Sequence, residues 1–203
     1  MIAKIKINPF IITLGSMSVA KGIPLVITKG YSVPVPDPNI IRMGQGYIGA
    51  VPIPVVIMMV IVVLMCIVYY KTIFGSNIKA MGGNEEATRI SGINIEKNKT
   101  LVYLFSGLMA SVADIVLTGR LNVGQPSSGT GWELDAIAAA IVGGTTLDGG
   151  EGSVPGTLIG AMLLGFLSNG MVLLNVSMYW QQIVTGVIII GVVTLDVVRR
   201  KSR

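Results

Sequence analysis

The sequence predicts an all-α integral membrane protein with about six membrane segments, one of them broken or re-entrant. Three observations lead there. Only 12% of the 203 residues are charged, against roughly 25% in a soluble domain. Mean hydropathy is +0.75. Several apolar runs approach the ~20 residues that a helix needs to cross about 30 Å of hydrocarbon.

The same numbers narrow the chemistry. Net charge is +5, and the cations lie between and after the apolar runs, where they set topology. No basic stripe is interleaved with aromatics, so nucleic acid is not an expected partner. Histidine is absent, which removes the commonest proton shuttle and metal ligand. Cys66, the one cysteine, sits inside an apolar run and reads as a buried or lipid-facing thiol. No cofactor, metal or catalytic residue is expected.

The first segment, 7–28, contains Lys21, Gly22 and Pro24, which predict a broken or re-entrant helix. It does not read as a signal peptide, because no clear small-residue cleavage site ends it. Residues 30–50, with Pro34, Pro36, Pro38, Gly44, Gly46 and Gly49, read as an outer loop. The run 51–70 is the cleanest span and ends on the interfacial pair Tyr69 and Tyr70. Residues 71–100 carry Lys71, Lys79, Arg89, Lys97 and Lys99, which place this loop in the cytoplasm. Inside it, 84–92 reads as a short helix. Asn84 caps it, Glu85 and Glu86 favour its positive end, and Gly92 stops it. Spacing alone makes that an ordinary solvated helix.

Residues 101–118 form the next span. Gly107 and Ser111 offer a packing face, and Asp114 stands near the outer end. An outer loop, 119–133, follows. Glu133 and Asp135 then flank a helix start. Asp135 reads first as a helix-start residue and second as a contact for a polar ligand. The last two spans are 154–175 and 178–198. Arg199, Arg200, Lys201 and Arg203 hold the tail in the cytoplasm.

The stretch 134–160 reads as helix, tight turn, helix. An even number of crossings must join the inner loop to the inner tail, so either 134–147 crosses too or one of the other three spans does not; the first reading is preferred and puts the 148–153 turn inside. Gly143, Gly144, Gly152, Gly156 and Gly160 are expected to let the helices approach closely. The glycine-rich turn is not a nucleotide phosphate loop. It lacks the G-x-x-x-x-G-K-[S/T] lysine and carries Asp148 and Glu151, which repel phosphate.

Three motifs in order, AMGGNEEATRISGIN (80–94), QPSSGTGWELDAIAA (125–139) and GGTTLDGGEGSVPGTLIGA (143–161), resemble the permease subunits of bacterial ABC importers for simple sugars, the ribose/xylose/galactose class. The likeness runs along nearly the whole chain. It implies that residues 1–203 are the C-terminal part of a single, roughly ten-helix permease domain, N-terminally incomplete, with a cytoplasmic coupling loop at 71–100. It also implies an ATP-binding subunit, a soluble sugar-binding protein and a second permease subunit as partners, in the bacterial inner membrane. By that likeness Asn84, Glu85, Glu86, Ala87, Arg89 and Gly92 couple to the ATPase. Gln125, Trp132, Glu133 and Asp135 lie near the substrate path. Asp114 and Asp148 depart from the pattern, since relatives usually carry glycine at the first and a small residue at the second. An ion-coupled transporter and an inert or split fragment are the competing readings.

Overall fold

The computed structural model describes residues 9–146 and 149–201; Asp148 lies outside them. The structure is helical apart from four two-residue strands. In order the elements are α1 (Pro9–Thr28), β1 (Val33–Pro34), α2 (Pro38–Gln45), β2 (Tyr47–Ile48), β3 (Val51–Pro52), α3 (Ile53–Lys71), α4 (Ile73–Gly83) and α5 (Glu85–Ile90). Then come α6 (Ile95–Leu121), β4 (Val123–Gly124), α7 (Trp132–Val142), α8 (Val154–Leu173) and α9 (Met178–Lys201). Among the described residues, four helices are long and apolar enough to cross a membrane: Ile11–Thr28, Ile53–Lys71, Ile95–Leu121 and Val154–Leu173. Almost none of their residues is fully buried by the chain itself. That is how a helix meant for lipid differs from a core helix.

The chain divides into two compact units, Met1–Val63 with Arg89–Ser128 and Leu64–Thr88 with Gly129–Arg203. In the first, α1 is one continuous helix with Pro24 inside it, not the interrupted segment expected. A proline forfeits one backbone donor, and neighbouring turns of a membrane helix absorb that loss. The expected outer loop also holds a helix, α2. Asp37 caps it by accepting from Asn39 N at 2.8 Å, and Pro38 takes the first turn. Gly44 of α2 lies directly on the backbone of Gly119 and Arg120 in α6. Gln45 Nε2 donates to the carbonyl of Arg120 at 3.0 Å. β1 pairs antiparallel with β4, and β2 with β3. α6 runs 27 residues from its Asn94 cap, longer at both ends than the span expected. Asp114 therefore stands seven residues from its end, about 10 Å deep at 1.5 Å per residue.

The second unit begins at Leu64, inside α3. The expected polar loop is here mostly helix. Thr72 caps α4, accepting from Gly75 N at 3.2 Å. α7 has 11 residues and so reaches about 16 Å, half of a hydrocarbon core of about 30 Å. The helix alone does not make the full crossing expected of 134–147; residues 143–146 continue it as turn and loop. Its C-terminal half is buried at Ala138, Ala139 and Ile141, where it packs on α8. α8 turns into α9 through Asn175, in the left-handed conformation at φ 55°.

Candidate functional site

Two places gather the residues singled out in the sequence. The first is a cavity of about 290 Å³ among α7, α8 and α9. Trp132, Asp135, Ala136 and Ala139 line it from α7; Ala161, Leu164, Gly165, Leu167 and Ser168 from α8; and Thr185 from α9. Its size lies at the lower edge of the roughly 300–1,000 Å³ common for small-molecule sites. Its make-up is theirs too: an apolar wall, one aromatic face and a few polar groups. Trp132 is 55% exposed and free to offer its ring to a ligand. A carboxylate accepts several hydrogen bonds, and hydroxyls such as those of Ser168 and Thr185 both donate and accept. This set suits a neutral molecule bearing many hydroxyls.

Of the four expected path residues, Trp132 and Asp135 meet at this cavity. Glu133 does not line it. Its Oε2 accepts from Gly131 N at 3.1 Å and braces the turn that starts α7. Gln125 belongs to the other unit, where its amide donates to Ser127 Oγ at 3.2 Å. Ser168 and Thr185 escaped sequence reasoning, because a hydroxyl in an apolar helix most often bonds its own backbone. The cavity wall they share with Trp132 is built from three helices and exists only after folding. Among the described residues, no three His, Cys, Asp or Glu side chains gather as a metal site.

The second place is the junction of α4 and α5. Asn84 serves both helices. Its N–H donates to Ala80 O at 3.0 Å, closing α4. Its Oδ1 accepts from Ala87 N at 2.9 Å, opening α5. Thr88 is buried, with its hydroxyl donating to Asn84 O at 2.7 Å. Glu85 and Glu86 occupy the first turn, and Arg89 the last. Gly92 closes the turn beyond, with φ 82° and its N–H on Arg89 O at 3.0 Å. Ile90 is 83% exposed, an apolar side chain standing clear of the chain.

The glycines named for close packing divide. The backbones of Gly143 and Gly156 touch, and Gly160 lies on the carbonyl of Ala139. Gly144 does not pack; a Cβ there would meet open space, and its φ of 88° shows that it serves the turn. Gly152 precedes α8 and faces the side chains of Thr145 and Tyr69, so the ridge on α8 starts at Gly156.

A family model described as "Branched-chain amino acid transport system / permease component" matches residues 1–193. The chain belongs to this permease family. The permease is 42% identical, over its whole length, to the "Ribose import permease protein RbsC" of Bacillus subtilis (strain 168), of which it covers 63%. It is 46% identical across 96% of its length to the protein of the same name from Escherichia coli (strain K12), covering 62% of it. It is 35% identical to the "L-arabinose transport system permease protein AraH" of Escherichia coli (strain K12), again covering 62%. The permease thus spans a little less than two thirds of these relatives. No solved structure matches it. It is a multi-pass membrane protein of a family of transport subunits, which are not enzymes.

Proposed function

We propose that the chain is the membrane-spanning permease subunit of an ATP-driven, binding-protein-dependent importer of simple sugars. The observation that carries this reading is 42–46% identity along nearly the whole chain to proteins named as ribose import permeases. The Trp132–Asp135 cavity supports it with an aromatic face, a carboxylate and two hydroxyls, a set suited to a monosaccharide.

The chain itself forms and breaks no covalent bond. In this reading a separate ATP-binding subunit hydrolyses ATP and grips α5. Ile90 offers that partner an apolar knob, and Glu85, Glu86 and Arg89 offer charges. ATP binding moves α5, and the helices switch between outward and inward access. Sugar enters from a soluble binding protein outside. Asp135, Ser168 and Thr185 exchange hydrogen bonds with its hydroxyls while Trp132 covers an apolar face of the ring. A second copy of the permease completes the path in the bacterial inner membrane, with the basic tail in the cytoplasm. A bistable packing of helices converts the partner's closure into alternating access.

The test is uptake of radiolabelled ribose into vesicles that hold the permease with its ATP-binding subunit and binding protein. Uptake is expected to need internal ATP and to survive collapse of ion gradients. Uptake that persists without ATP and stops with the ion gradient would overturn the reading in favour of an ion-coupled carrier.

A further inference from the structure

We propose that the seat of Gly82 on Gly150 is the joint through which movement of α5 reaches the Trp132–Asp135 cavity. The proposal rests on the reading of 84–92 as the coupling segment.

α4 and α5 share Asn84 as closing and opening cap, so no slack chain separates them. Two residues before that cap, Gly82 lies on the turn between α7 and α8. A Cβ on Gly82 would overlap Gly150 N and stand 2.9 Å from Gly150 Cα. Seen from the other side, a Cβ on Gly149 would stand 2.9 Å from Gly82 Cα, and one on Gly150 3.2 Å from Gly83 N. Backbone meets backbone, with no side chain between. The next residue, Gly83, has open space where its own Cβ would be, so of the two only Gly82 has no room for a side chain.

Hydrogen bonds tie together the described residues of the turn that receives Gly82. Gly149 and Gly150 both hold left-handed φ, at 90° and 84°. The Thr146 hydroxyl donates to Gly149 O at 2.8 Å, and Thr146 N donates to Glu151 O at 3.1 Å. Ser153 then caps α8, accepting from Gly156 N at 3.1 Å. From there two more backbone contacts lead inward, Gly143 on Gly156 and Ala139 on Gly160. Ala139 and Ala161 are walls of the cavity. A side-chain contact absorbs displacement by changing rotamer. Close-packed backbone has no rotamer to change and passes the displacement on. Lys79, one turn before Gly82, keeps α4 in place. Its Nζ lies 4.3 Å from the Tyr69 ring centroid and 4.8 Å from that of Tyr70.

The test uses the complete transport complex in vesicles, with activities expressed per assembled complex. Gly82→Ala is expected to lower sugar moved per ATP about ten-fold, while Gly83→Ala stays within about two-fold. Hydrolysis itself should remain stimulated by sugar-loaded binding protein. Gly82→Ala combined with Gly150→Ala should be no worse than the worse single change, because both break one seat. A normal sugar-to-ATP ratio in Gly82→Ala, or additive losses in the pair, overturns the joint. Hydrogen exchange on the unaltered complex decides the matter even where a variant fails to assemble. Amides at 82–83 and 149–150 should change protection together on ATP binding, and change at one pair alone overturns the proposal. Glu86→Ala separates the two levels. If it leaves the ratio unchanged, the coupling reading fails. If it uncouples while Gly82→Ala does not, only the joint fails.

Discussion

The carbonyl of Gly143 occupies the place that a Cβ on residue 156 would take. The first residue after α7 thus touches the first turn of α8 through backbone alone. Relief would need movement of a helix, since no side chain stands there to rotate. Gly156→Ala is expected to destabilise the permease by about 1–3 kcal/mol through overpacking, read as a lowered midpoint of thermal unfolding in detergent. Gly156→Leu should prevent assembly; a normal yield of folded permease carrying it would disprove the contact.

Trp132→Ala and Asp135→Asn should weaken sugar handling at the cavity. Loss of a hydrogen bond to a charged group costs about 1.5–3 kcal/mol, so Asp135→Asn should raise the apparent KM for uptake by roughly ten-fold or more. Trp132→Ala should have a smaller effect of the same sign. Glu133→Gln is the control. Its carboxylate braces Gly131 N, so uptake should stay near that of the parent. Equal loss in all three variants would count against the cavity as the sugar's stopping place.

Glu86→Ala or Arg89→Ala is expected to separate ATP hydrolysis from sugar uptake without loss of membrane insertion. Asn84→Ala should act differently, by removing the cap that accepts from Ala87 N. Such a cap is worth about 0.5–2 kcal/mol, so the α4–α5 junction should lose amide protection in hydrogen exchange. Unchanged uptake in the charge variants of a working complex would remove the coupling assignment.

Lys79→Met keeps most of the aliphatic stem and deletes the charge that faces Tyr69 and Tyr70. The expected loss is about 0.5–1 kcal/mol, measured as a fall in thermal stability. Tyr69→Phe retains the ring and should lose less. A Lys79→Met permease as stable as the parent would show that the two rings contribute nothing to holding α4.

How much of this was legible beforehand depends on whether the signal is local. The span of α3 was plain from apolar length, and the start of α5 from Asn84 with two acids after it. The Asp37–Pro38 start of α2 was equally written in the chain. Five further proline and glycine signals crowd the same stretch and give it the pattern of a loop. Pro24 misled in the opposite direction, since the remaining backbone bonds of α1 carry the helix past it. For the site, the resemblance named Trp132 and Asp135 but could not separate them from Glu133, two positions away, whose carboxylate turns back on its own backbone.

The chain read as a string was enough for its all-helical membrane character, for the span of α3 and for the family it belongs to. Those properties are sums over neighbouring residues, or matches along a string. Tertiary structure alone decided that α7 stops at 11 residues and that Gly143 packs while Gly144 only turns. It alone brought Ser168 and Thr185 to the same cavity as Trp132 and Asp135, and seated Gly82 on Gly150. Each of these depends on what stands opposite a residue, and the partner lies too far along the chain for local pattern to name it.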